Sequence, residues 1–158
     1  MPFHVRHAPG FLAATLLAAA GLLSGCGGTP PEEALRASVA GLEAAIESRE
    51  PGAIADVLAT DFAGPDGMDR AAARRLAQLV FLRNREVAVA LGPLDIDLQG
   101  GGDVDADATH ATVRFTAALT GGAGGWLPES GSVYRVETGW RRDGDAWEMT
   151  SARWERDL

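Results

Sequence analysis

The hydrophobic period of this chain changes once, near Glu86. Before that point apolar residues recur every three or four positions; after it they alternate. A period of 3.6 buries one stripe of a helix and a period of two buries one face of a strand, so neither pattern suits the other element. The chain is therefore α+β, with N-terminal helices followed by a sheet.

Leu35, Val39, Leu42 and Ile46 form the apolar stripe of a first helix, which Pro51-Gly52 stops. Ile54, Val57, Leu58 and Phe62 define a shorter second helix. AGPDGMD, residues 63–69, is a turn, and Asp69 is placed to cap a third helix, RAAARRLAQLVFLR. Its inner face is Ala72, Leu76, Leu79 and Val80, with Arg70, Arg74 and Gln78 toward solvent. Val87, Val89 and Leu91 then alternate, as do Leu94, Ile96 and Leu98, but the parity switches across Gly92-Pro93. A one-residue slip turns every side chain to the other face, so a long strand is expected with a bulge or bend there. Further strands are expected at about 110–119, 132–142 and 147–155, the last two joined by a tight turn at Asp143-Gly144-Asp145.

The N-terminus carries an address. A basic start is followed by the uncharged run FLAATLLAAAGLL, residues 11–23. At ~1.5 Å per residue it reaches roughly 20 Å, short of a ~30 Å hydrocarbon core, so it suits a secretory signal better than a span. Leu23-Ser24-Gly25-Cys26 resembles the bacterial lipobox. The resemblance implies cleavage between Gly25 and Cys26 and acylation of the Cys26 thiol. Residues 1–25 are then a lipoprotein signal peptide, 26–31 a lipidated tether and 32–158 the domain. One acyl chain anchors only marginally, but two or three on one residue hold firmly. Gly27 stands where known lipoproteins carry an aspartate for inner-membrane retention, which implies the periplasmic side of an outer membrane.

Composition removes much chemistry. Arg6 leaves with the signal, so the net charge of −8 becomes −9, a surface that repels nucleic acid. There is no lysine for a Schiff base, and the only cysteine is committed to lipid. His110 is the only histidine after the signal, so ordinary zinc sites cannot be built. No phosphate-binding glycine loop or dinucleotide fingerprint is present. No cofactor or metal is expected.

AAIESREPGAIADVLATDF, residues 44–62, and GWRRDGDAWEMTSARW, residues 139–154, resemble the first two helices and the last hairpin of the NTF2-like superfamily, which includes SnoaL-like proteins. The resemblance spans residues 32–158. It implies a cone: three helices packed on a curved antiparallel sheet of about four strands, with a pocket at the open end. Members include isomerases, cyclases, dehydratases and non-catalytic binding modules, and fold does not choose among them. Leu42 stands where the isomerases carry a helix-one tyrosine, and no histidine lies near the third helix.

Asp61 and Asp66 flank the turn after the second helix, where the family often places a pocket acid. Either is a general base or plain turn chemistry, the commoner use of aspartate. Asp103, Asp105 and Asp107 have calcium-loop spacing, but Ala108 and Arg114 replace the glycine and the bidentate glutamate, which favours a solvated hairpin tip. Tyr134, Trp140 and Trp147 are candidates for a shared core and pocket wall. Trp126, after a run of glycines, is a lid, a partner contact, a dip into lipid headgroups or a residue folded back on the domain edge. The expected function is a lipid-anchored, non-catalytic domain binding an apolar small molecule or a protein partner. The alternative is a SnoaL-like acid–base enzyme, which needs Asp61 or Asp66 inside the cone. A homodimer through the sheet would need an apolar outer face.

Overall fold

The computed structural model describes residues 28–101, 107–121 and 132–157. The signal segment, Gly25, Cys26, Trp126, Asp103 and Asp105 lie outside these described residues.

Helix α1 spans Pro31–Glu47 and starts on a proline, whose missing N–H costs nothing in a first turn. The Pro31 carbonyl accepts a 3.1 Å hydrogen bond from Trp147 Nε1, which ties the helix start to the sheet. Leu35 and Val39 are buried, as the stripe requires. Arg49 ends the helix in the left-handed region at φ 58°. Its guanidinium reaches across to the carbonyls of Phe81 and Arg85.

Helix α2 is only Pro51–Val57. The expected helix through Phe62 is instead strand β1, Leu58–Ala63. Leu58 and Phe62 are four apart and satisfy a helical period locally. The edge of the last strand offers ladder partners that a local pattern cannot show. Positions four apart share a face in a strand as they do in a helix, so both residues are buried here too.

A short 3₁₀ turn, Pro65–Gly67, leads to α3, Arg70–Arg83. The Asp69 carboxylate accepts from Ala72 N at 2.7 Å, a true N-cap. The inner face of α3 matches the expected one only in part: Val80 and Leu76 line the interior, but Leu79 does not. Phe81 is buried, whereas Leu79 is 51% and Leu82 83% exposed. The helix rotates to bury its largest apolar side chain, and the leucines two positions before and one after are turned outward.

The strands β2 (Val87–Leu91), β3 (Asp95–Gln99), β4 (His110–Gly121), β5 (Ser132–Asp143) and β6 (Ala146–Arg156) complete the fold. The six-stranded sheet runs β1-β6-β5-β4-β2, with β3 also on β4. It is mixed, because β1 pairs parallel with β6 while the other pairs are antiparallel. The strands β2 and β3 lie end to end along β4, beside residues 117–121 and 110–114. The bend between them is at Gly92, where an added Cβ would stand 2.4 Å from Thr116 Oγ1. That bend absorbs the parity switch, so Val87, Val89 and Ile96 all pack inward. Gly144, at φ 61°, turns β5 into β6.

Candidate functional site

The inner face of the sheet is solid at one end and hollow at the other. On β4 it runs Ala111, Val113, Phe115 and Ala117, opposite Trp140, Thr138, Val136 and Tyr134 of β5. On β6, Met149, Ala152 and Trp154 continue the rows. Trp140 and Trp147 fill the first end, under Leu35 and Val39 of α1. Toward Tyr134 the rows continue as Phe115, Val136 and Trp154 and then Ala117 and Tyr134, while α3 contributes the small Ala73 and Ala77 from above. The result is a cavity of about 430 Å³, walled also by Ile46, Phe62, Val80, Val89 and Leu119.

Its lining is almost wholly aliphatic and aromatic; the polar residues on it are Glu43, Tyr134 and Thr138. The Thr138 hydroxyl is engaged: it donates to the Val113 carbonyl at 3.3 Å and accepts from Trp140 Nε1 at 2.8 Å. Among the described residues, neither the Glu43 carboxylate nor the Tyr134 hydroxyl has a hydrogen bond or ion pair. An acid and a phenol on an apolar wall can fix the polar end of an otherwise greasy molecule. The pattern had marked Tyr134 but missed Glu43. Its signal was available: Glu43 lies four after Val39 and three before Ile46, an acid on the edge of an apolar stripe.

Neither candidate aspartate lines this cavity. Asp61 lies on the outer surface with its side chain 62% exposed. Arg141 grips it through two 2.9 Å hydrogen bonds. That guanidinium holds the Asp61 carboxyl below the ordinary carboxylate range, and Asp61 in turn raises Arg141. Asp66 is exposed in the 3₁₀ turn at φ 55°, a conformation aspartate tolerates well. The acid–base route through these two residues therefore lacks its geometry. Trp140 and Trp147 belong to the core and not to the cavity wall, because each indole nitrogen is satisfied inside the packed end. The tryptophan on the wall is Trp154, 41% exposed. His110 is exposed at the start of β4, its Nδ1 3.0 Å from Thr109 Oγ1. Asp107 is exposed too.

A second recess, about 870 Å³, is an open groove between α2 and α3 with Asp56, Asp69, Arg70, Arg74 and Arg75 on its walls. Arg70 pairs with Asp56 across it at 3.4 Å. The outer face of the sheet is charged. Glu137 accepts from Arg153 and Arg114, which hold its carboxyl below the ordinary range. Arg135 pairs with Asp157 at 3.1 Å.

No protein-family model matches the chain, and no curated protein matches its sequence. Solved structures do match. An NTF2-like family protein from Streptomyces avermitilis, described as a candidate dehydratase, superposes with a TM-score of 0.66 at 15% identity, over 81% of this chain and 97% of that one. A hexachlorocyclohexane dehydrochlorinase, LinA-type3, from Novosphingobium barchaimii gives 0.61 at 12%, over 80% and 86%. Bd1075 from Bdellovibrio bacteriovorus gives 0.64 at 12% over 78% of this chain, which spans only 40% of that longer protein. At such identities the likeness establishes the NTF2-like, α+β cone fold.

Proposed function

We propose that this chain is a lipid-anchored binding domain of the bacterial cell envelope, holding a small apolar molecule with one polar end. The cavity of about 430 Å³ carries the reading, because its walls offer apolar burial and two unengaged polar groups. Burial at roughly 25 cal/mol per Å² drives binding, and Glu43 with Tyr134 sets the orientation. The anchor rests on Leu23-Ser24-Gly25-Cys26. Gly27 argues for the periplasmic face of an outer membrane. The role is that of a carrier or sensor and not of a catalyst.

Glu43 also favours one competing reading. With Tyr134 as the polarising group it could serve as a general base, in the manner of an acid–base enzyme, and such a group contributes ~10²–10⁴ in rate. The two are separated by native mass spectrometry of the protein produced in a bacterial periplasm. A reproducible added mass that leaves on denaturation supports the carrier. If that molecule returns chemically altered after incubation, the enzyme reading replaces it. A protein that arrives with nothing bound, and takes up no amphiphile from a bacterial lipid extract, removes the cavity reading altogether.

A further inference from the structure

Helix α3 concentrates two features that the rest of the described domain lacks. The first is charge. From Arg70 to Arg85 there is no acid, in a chain of net charge −8. Elsewhere the described arginines are committed: Arg36 to Glu32, Arg114 and Arg153 to Glu137, Arg135 to Asp157, Arg141 to Asp61, and Arg142 to Asp145. Arg49 is spent on carbonyls and Arg156 on the Ser132 hydroxyl. Among the described residues, those in no ion pair or side-chain hydrogen bond are Arg74, Arg75, Arg83 and Arg85. All four lie on α3 or two residues past it.

The second feature is exposed leucine. Leu76, Leu79 and Leu82 are 37%, 51% and 83% exposed. At about 100° per residue they fall on one side of the helix, interleaved with Arg75 and Arg83. A leucine stripe bordered by free arginines suits an interface where apolar groups enter a low-dielectric layer and cations meet anions beside it. A second copy could match the leucines only with its own α3, and that would set the unpaired arginines of one copy against those of the other; among the described residues the outer sheet offers it a ladder of ion pairs instead.

We propose that α3 docks on an anionic lipid surface, its leucines among the acyl chains and its arginines on headgroup phosphates. The docking is independent of the Cys26 anchor. The same helix roofs the cavity through Ala73, Leu76, Ala77 and Val80, so docking sets the cavity roof against the bilayer.

The test is hydrogen–deuterium exchange on the full chain with phosphatidylcholine vesicles, with and without phosphatidylglycerol. Amides across residues 70–83 are expected to exchange about fivefold or more slowly on the anionic vesicles, with the gain erased by high salt. Arg75→Glu with Arg83→Glu removes the difference, and Leu79→Ser with Leu82→Ser reduces it. Amides of β4 to β6 stay unchanged in each variant, which reports an intact fold. Equal exchange on both vesicles overturns the proposal. So does protection that grows with protein concentration and ignores lipid charge, the mark of a second copy. Neither outcome touches the mass-spectrometric test of the cavity, so the two ideas fail separately.

Discussion

The two ends of the inner sheet face are built from the same strands in the same register, yet one is packed and the other open. At the packed end Trp140 and Trp147 fill the space beneath α1, and each ring nitrogen finds a partner. At the open end the same strands present Phe115, Val136, Trp154, Ala117 and Tyr134, and the part of α3 above adds two alanines. Alternation alone places a residue inside; whether the element above fills the remaining space decides whether the inside is core or cavity. The packed end carries the stability of the fold, and the open end is free to carry binding.

The sharpest break of this contrast is at the packed end. Trp140→Ala should cost ~3–5 kcal/mol, a large share of a typical domain's stability, read as a shift in urea midpoint. An effect below ~1 kcal/mol would mean that the two ends are packed alike.

The open end should respond in the opposite way. Ala77→Phe projects a ring into the cavity. It should abolish the bound mass while changing stability by no more than ~1 kcal/mol, because the space is already there. Retention of ligand by this variant would place binding elsewhere.

Smaller again is Glu43→Gln. Loss of one charge-assisted hydrogen bond weakens binding of an amphiphile by roughly ten- to a hundredfold and leaves purely apolar ligands unaffected. Equal loss for both ligand types would contradict the orienting role.

The least effect is expected outside both ends, at Asp61. Arg141 holds this carboxyl below its ordinary range, so the pair adds stability above the unfolded-state value, near 3.9. That contribution disappears as pH falls through the lower folded value. Asp61→Asn should therefore lower the melting temperature slightly at neutral pH and not at about pH 2. A difference that persists in acid would show that the side chain matters for reasons other than charge.

Much of the architecture was legible before any coordinates. The helical stripe of α1, the Asp69 cap, the bend at Gly92 and the turn at Gly144 each follow from local chemistry, and the structure has all four. Local chemistry misled where a distant strand decided. Leu58 and Phe62 read as helix until β6 supplies ladder partners some ninety residues on. On α3, four leucines and valines compete for one inner face, and only the size of Phe81 and the alanine-lined gap beneath it settle the rotation. The site was harder still. Asp61 could be read only as a turn residue or, by resemblance, a pocket acid, because its partner, Arg141, lies 80 residues away.

By itself the sequence determined the α+β class, the three helix starts and the apolar faces of the strands after Glu86, because period, caps and turns act within a few residues. It also wrote the lipobox-like stretch at Cys26 in the chain's own letters. Only the tertiary structure decided which inward positions are filled, that Glu43 and Tyr134 line one cavity, and that α3 turns Leu79 and Leu82 outward. Those outcomes depend on volumes and partners summed across strands far apart in the chain, and no local pattern contains that sum.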